Sequence, residues 1–302
     1  MTDIVIVNWN SGDYLRNCVE SIFLFNNEQF INRVYIIDNG STDKSLDNIK
    51  ENEKIVIVHN SENTGFSRAC NQGFKLCAAP FVLLLNPDTR LLPVTLKDCV
   101  KFMEMHSHID VLGCQLLNDE NAVTKSCARF PTPLRMCYDA VGLSKIAPQI
   151  FTPASLMTDW DHKESRIVDQ VMGAYMFMRI GIFEKVGYFD ERFFVYYEEL
   201  DFSRRLALLG GKSFYSAEIQ AIHSGGGTTR DVKGFRLFLN LRSRLLYSKK
   251  HFSLAGYLMV WAGTFFIEPV SRVIMLILSG RFKEINDVFR GYKLLAGFKV
   301  RL

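Results

Sequence analysis

Short apolar runs open the chain at Ile4–Asn8, Val34–Asp38, Ile55–His59 and Phe81–Asn86. Runs of this length, rich in β-branched residues and bounded by polar turns, predict buried strands. Between them the spacing becomes helical. Leu15, Val19, Ile22 and Phe25 recur at intervals of three and four, with Ser11 placed as an N-cap. The alternation predicts an α/β fold in which helices cover a parallel sheet. Each run ends in polar residues: Asn8-Trp9-Asn10, Asp38-Asn39-Gly40, Asn60 and Asn86-Pro87-Asp88. Because ligands of open α/β sheets bind at the carboxyl edges of the strands, these ends are expected to converge on one site.

Beyond residue 110 the pattern is mixed. Val111–Leu117, Val171–Met178 and Ile219–His223 read as strands and Tyr197–Leu209 as a helix, while residues 144–166 read as a long loop over the site. Gly234–Lys250 and Leu254–Leu278 are helical in spacing, and a boundary is placed near residue 230. The expected division is a catalytic domain of residues 1–230, in halves of about 1–110 and 111–230, and a helical segment of residues 231–302.

Charge sharpens that division. The net charge is +4, but from Arg230 onward 14 Lys/Arg stand against 4 Asp/Glu, so the tail carries +10 and the body −6. A basic, aromatic-rich tail suits an anionic surface, and no nucleic-acid-binding motif accompanies it. The seven cysteines are scattered without a C-x-x-C pair and read as reduced packing residues. The start, Met1-Thr2-Asp3, runs straight into the first strand without a basic or long apolar leader, which argues for a cytoplasmic location.

Individual stretches suggest chemistry. Asp38, at a strand end, can accept a hydrogen bond from the imide N–H of a pyrimidine base, although Asp38–Asp43 also reads as an ordinary turn. Asn63, Gly65, Arg68 and Asn71 fall in a glycine-containing loop that opens a helix, an arrangement suited to a diphosphate. Asp88 follows the most apolar strand, and a divalent cation bridging two phosphates needs few protein ligands. His223 ends a later strand and is the candidate second ligand. Phe189–Leu206 is the most specific stretch: an aromatic run leads into Glu198, Glu199 and Asp201 at a helix start, where a carboxylate can be desolvated into a useful base. The plainer reading pairs Asp201 with Arg204 or Arg205.

In order, Ile6–Asn10, Asp38–Asp43, Asn63–Phe74, Asn86–Thr89, Gly173–Arg179 and Tyr196–Arg204 resemble the family-2 inverting glycosyltransferases of GT-A fold, in particular rhamnosyltransferases of bacterial surface polysaccharides such as O-antigen. The likeness covers about residues 3–250. It implies a GT-A type, Rossmann-like mixed sheet whose first half holds the nucleotide sugar and whose second half meets the acceptor. It further implies a nucleotide-diphospho-sugar donor (dTDP-rhamnose for the rhamnosyltransferases), Mg2+ or Mn2+, and direct inversion at the anomeric carbon. Carried across, Asn8, Asn10, Asp38, Asn63, Gly65, Arg68, Asn71, Asn86 and Asp88 would bind the donor. Asp88 and His223 would bind metal, and Glu199, with Glu198 in reserve, would be the base. Asn86 replaces the first acid of the family's D-x-D, and Glu199 replaces an aspartate. A sugar-1-phosphate nucleotidyltransferase and a non-catalytic scaffold subunit are the alternatives. The first would need a glycine-rich triphosphate loop where Asn8-Trp9-Asn10 stands, and the second would not need the acidic cluster.

The acceptor is expected to be a saccharide, free or linked to polyprenyl diphosphate, with Asp201, Arg242 and Arg244 as candidates for its diphosphate. Phe252–Ile267 is uncharged, but Glu268-Pro269 and Arg272 interrupt before Val273–Leu278. A membrane span needs about 20 apolar residues, and neither arm has that length. The segment is therefore expected to dock peripherally on the inner face of the cell membrane, with Lys249, Lys250, Arg281 and Lys283 meeting anionic head groups. Packing on the catalytic domain, or on a second subunit in a homodimer, is the other reading.

Overall fold

The computed structural model describes residues 1–24, 27–225 and 233–298. Phe25, Gly226, Gly227 and the expected boundary near residue 230 lie outside them. In chain order the strands are β1 (Thr2–Asn8), β2 (Ile31–Asp38), β3 (Ile55–His59), β4 (Phe81–Leu85), β5 (Thr89–Leu91), β6 (Val111–Leu117), β7 (Cys127–Ala128), β8 (Arg166–Val168), β9 (Gln170–Val171), β10 (Tyr175–Arg179) and β11 (Ser213–His223). The α-helices are α1 (Asp13–Phe23), α2 (Phe66–Phe74), α3 (Thr95–Met105), α4 (Pro133–Val141), α5 (Leu143–Ile146), α6 (Ile182–Val186), α7 (Glu198–Leu208), α8 (Lys233–His251), α9 (Leu254–Ala262), α10 (Glu268–Leu278) and α11 (Ile285–Ala296).

Two compact units emerge. One contains Met1–Ala128, Asp161–Arg192 and Glu198–Thr228; the other contains Arg129–Trp160, Phe193–Tyr197 and Thr229–Leu302. The division is not a single cut near residue 230, because two inner segments group with the C-terminal helices.

Among the described residues the first unit holds a nine-stranded mixed sheet, in the order β3-β2-β1-β4-β10-β6-β11-β5, with β8 beside β11. β1, β2, β3 and β4 run parallel, and β10 runs antiparallel between β4 and β6. Every residue of β1 and β4 is buried, as expected of central strands covered on both faces. Ile4, Ile6, Leu83 and Leu85 meet Leu15, Cys18, Val19 and Ile22 of α1 in the main core.

Two local expectations change. Gly12, not Ser11, precedes α1 as its cap residue, because the Ser11 hydroxyl donates to Asn8 Oδ1 at 2.6 Å instead. No helix joins β2 to β3 among the described residues. Ser41, Asp43 and Ser45 commit their side chains to neighbouring backbone and amides, which competes with helix formation.

In the second unit the helix continues from Leu254 to Leu278 across a π segment, Gly263–Ile267. The helical spacing read over Leu254–Leu278 is thus realised as one rod of 25 residues, and the expectation that each apolar arm is by itself too short to span does not apply to it. The wider π turn directly precedes Pro269, where a regular helix would lose a donor and clash with the ring. Glu268 turns inward and is ion-paired with Arg244 and, at 2.7 Å, with Arg272. Burial alone would raise its carboxyl, but the two guanidinium groups hold it below the ordinary glutamate value of 4.5. The stability this adds is present above that value and is lost as pH falls through the depressed one. Glu268→Ala should cost about 3–5 kcal/mol in urea unfolding, because Arg244 would be left buried without its counter-charge.

Candidate active site

Asn8, Asp38 and His59 form one register row across the carboxyl ends of β1, β2 and β3. The buried Asn8 amide donates to Asp38 Oδ1 at 2.9 Å and to Ser45 Oγ at 2.9 Å. It thereby fixes the Asp38 carboxylate, whose Oδ2 lies 3.8 Å from His59 Nδ1. Asn10 sits at φ 51°, and its Oδ1 accepts from Thr42 N at 2.8 Å. Asp43 accepts from Gly12 N at 2.8 Å. Partial burial works to raise the Asp43 carboxyl, but bonds from the Ser45 hydroxyl and the Gly12 amide bring it below its ordinary value. The loops after β1 and β2 are thus laced into one platform.

Asn39 joins this platform to the loop before α2. Its Oδ1 accepts from Thr64 N and Asn60 Nδ2 at 3.1 Å, and its amide nitrogen donates to Asn63 Oδ1 at 3.0 Å. Gly40 has φ 73°, and a Cβ there would stand 2.7 Å from the backbone of Glu62. Gly40→Ala should therefore lower the urea midpoint, with about 1–2 kcal/mol from the left-handed backbone alone and more from the contact.

Gly65, at φ 92°, starts α2. Arg68 Nε lies 3.4 Å from Glu191 Oε2, and its side chain is 61% exposed, so it remains accessible to an incoming anion. Asn71 has other work than the donor contact expected of it. It is buried and exchanges hydrogen bonds with the backbone of Phe189 at 2.9 and 3.0 Å, which clamps that loop.

At the start of α7, Glu198 is buried and Glu199 half-buried. Desolvation raises the Glu199 carboxyl, even though Gly173 N donates to its Oε1 at 3.3 Å. A Cβ at 173 would come within 2.8 Å of that oxygen and displace the Glu199 side chain from its present position. Burial raises the Cys70 thiol of α2, and Glu198 and Glu199 raise it further, which puts both carboxylates beside α2. Asp201 is buried against Arg205 at 2.9 Å, the plainer of its two readings, and is not presented to an acceptor diphosphate. Directly before α7, Tyr196 and Tyr197 have φ of 68° and 71°, a strained conformation for residues with side chains.

Asp88 and His223 come together although they are distant in sequence. β5 pairs antiparallel with the end of β11, which brings His223 Nε2 to 3.3 Å from Asp88 Oδ1. That oxygen is buried and accepts no hydrogen bond. A pocket of about 180 Å³ beside it is lined by Tyr14, Asn17, Asp88, Arg90, Asp119 and Ser224. Asn86 supports the turn through its backbone, donating to Ala174 O at 3.1 Å. Among the described residues no group of three or more His, Cys, Asp or Glu side chains could hold a metal.

The family model described as glycosyl transferase family 2 matches residues 3–156, and that described as glycosyl transferase family group 2 matches residues 81–296. The chain belongs to glycosyltransferase family 2. It is 26% identical over 259 residues to the low-salt glycan biosynthesis hexosyltransferase Agl10 of Haloferax volcanii, spanning 83% of this chain and 76% of that protein. It is 23% identical over 244 residues to the N-acetylglucosaminyl-diphospho-decaprenol L-rhamnosyltransferase of Mycobacterium tuberculosis, spanning 76% and 78% respectively. Among solved structures, the mannosyltransferase PcManGT of Pyrobaculum calidifontis, in complex with GDP-Man and Mn2+, superposes with a TM-score of 0.57 at 10% identity over 98% of this chain and 86% of that one. This glycosyltransferase has the GT-A fold, a mixed α/β sheet with covering helices, as its motifs implied.

Two arginines expected to face the glycosyltransferase's acceptor are otherwise engaged. Arg244 is buried, donating to Thr264 Oγ1 at 2.7 Å and to Glu268, and the Arg242 guanidinium lies over the Phe298 ring at 4.7 Å. Conversely, Arg90 and Asp119 were not singled out from the sequence, and Asn39 only as one of the strand-end polar residues. Arg90 Nη2 and Ser224 Oγ both donate to Asp119 Oδ1, at 2.7 and 2.9 Å, so that the two strand ends flanking Asp88 are tied together. Their order in the chain carries no signal for this, because the pairing of β5 with β11 creates it.

Proposed function

We propose that this glycosyltransferase transfers a hexose, L-rhamnose from dTDP-rhamnose, with inversion, to a saccharide acceptor free or linked to polyprenyl diphosphate. The observation that carries the metal-dependent reading is Asp88 Oδ1, buried without a hydrogen bond and 3.3 Å from His223 Nε2. One carboxylate oxygen and one imidazole nitrogen fit Mn2+ or Mg2+, with the diphosphate and water completing the coordination. A bound metal would offset the charge that grows on the departing nucleoside diphosphate.

The chain's own residues would do the rest. Asp38, held by Asn8, accepts a hydrogen bond from the base of the nucleotide. Arg68 and the amides at the start of α2 face the diphosphate. Glu199 removes the proton of the acceptor hydroxyl as that oxygen attacks the anomeric carbon. The glycan-building relatives support the acceptor class, and the basic tail supports a place on the cytoplasmic face of a membrane.

The test offers purified protein a panel of nucleotide sugars with Mg2+ or Mn2+, and reads nucleoside diphosphate release, thermal shift and the anomeric configuration of the product. Release with dTDP-rhamnose that is abolished by EDTA, and product of inverted configuration, are expected. Metal-independent transfer would overturn the metal reading. Preference for another sugar would overturn the rhamnose assignment.

A further inference from the structure

Leu254–Leu278 is long and apolar enough to cross a membrane, with a mean hydropathy of 1.5, yet it is two-faced. Gly256, Val260, Gly263, Thr264 and Glu268 are buried, while Leu258 (50% exposed), Phe266 (67%), Val270 (57%), Ile274 (50%) and Leu278 (81%) are not. A regular α-helix advances about 100° per residue. On that count Phe266, Val270, Ile274 and Ile277 would fall about 150° round from Leu254, Leu258 and Trp261. The π segment Gly263–Ile267 inserts one residue and takes back about 100° of that drift. The result is one apolar stripe along the full rod, with the buried residues on one opposite face.

We infer that this stripe lies flat in the head-group region of an anionic phospholipid leaflet, with the π segment acting as its phasing device. The inference rests on the proposed placement at a membrane surface and adds its geometry. Several observations favour an in-plane helix over a spanning one. Glu268 and Arg272 sit in the middle of the rod, and Glu268 is locked to Arg244 of α8, which keeps that face on protein. A spanning helix would bring both charges to bilayer depth. The exposed Arg281 and Lys283 follow the end of the stripe, and Phe282 (61% exposed) extends its apolar surface between them. This combination of an apolar face and flanking cations suits an interfacial helix. A second copy would set one +10 tail against another, which disfavours self-pairing on this face.

The full-length protein is mixed with vesicles of phosphatidylcholine, with or without phosphatidylglycerol, carrying phospholipids brominated at shallow or deep acyl positions. Quenching at 261 is read as the difference between wild type and Trp261→Phe, and quenching at 258, 270 or 274 as the change when a tryptophan is placed there in the Trp261→Phe background, because Trp9 and Trp160 contribute to every spectrum. Equal, shallow quenching at all these positions, only with phosphatidylglycerol, is the expected result. Val270→Glu should lower partitioning by roughly ten- to a hundredfold without changing donor turnover in solution. Quenching that deepens steadily from 258 to 274 would overturn the in-plane geometry and leave membrane association standing. Binding without quenching at these positions would assign the attachment to another surface. Absence of binding to phosphatidylglycerol vesicles at low salt would instead overturn the membrane reading itself. A concentration-dependent dimer abolished by Val270→Glu would give the stripe to a second copy.

Discussion

Glu199→Gln is expected to lower turnover by about 10²–10⁴-fold, the usual worth of a positioned general base, with donor affinity nearly unchanged. The substitution keeps the acceptor for the Gly173 amide and removes only basicity. Two pH effects accompany it. Burial raises the Glu199 carboxyl above its ordinary value of 4.5, so wild-type activity should fall on the acid side at a pH above that value. Stability moves the other way. A carboxyl raised in the folded state favours folding while protonated and loses that contribution as pH rises through the raised value. At neutral pH the Gln variant should therefore be more stable than wild type, and a thermal melt across pH checks the sign. A variant that keeps full turnover would hand the base role to Glu198.

Asp88→Asn should abolish the dependence of donor binding on Mn2+ and lower turnover severely. Metal-assisted charge stabilisation is worth several kcal/mol, or roughly a thousandfold in rate. His223→Ala should do the same to a smaller degree, because the carboxylate would remain. Titration calorimetry of the nucleoside diphosphate with and without Mn2+ separates lost metal from lost fold. Unchanged Mn2+-dependent affinity in both variants would refute the assignment.

The longer strands were legible because they are written in β-branched and aliphatic residues bounded by Asn, Asp and Gly, whereas the short β5, β7 and β8 were not, and Val171–Met178, which reads as one strand, is divided between β9 and β10. Ile55–His59 and Val111–Leu117 match residue for residue. The stretch after Asp38 was not legible as coil, because its Ser, Thr and Asp residues are neutral as a pattern and act through one another and through partners on β1 and in the loop that follows it. The same cause hid the site's connections. The closeness of Asp88 to His223 was inferred from strand ends alone, whereas the tie through Arg90, Asp119 and Ser224 depends on sheet order. Glu268-Pro269 and Arg272 read as an interruption of the apolar run, within a segment of helical spacing. Here the charge is neutralised from α8 and a π turn accommodates the ring.

Asn39 has a consequence for how the protein ages. It is followed by Gly40, and an Asn-Gly pair is where a backbone nitrogen most readily attacks a side-chain amide, expelling ammonia to form a succinimide that water then opens to aspartate or isoaspartate. In the folded chain Asn39 is 2% exposed and its amide makes five hydrogen bonds. Ring closure needs those bonds broken, so deamidation proceeds only from states in which the platform has opened. An aspartate formed there would place a second carboxylate next to Asp38 and remove the donor to Asn63 and Gly65. The extent of deamidation in a stored sample thus records how often the nucleotide platform has come apart.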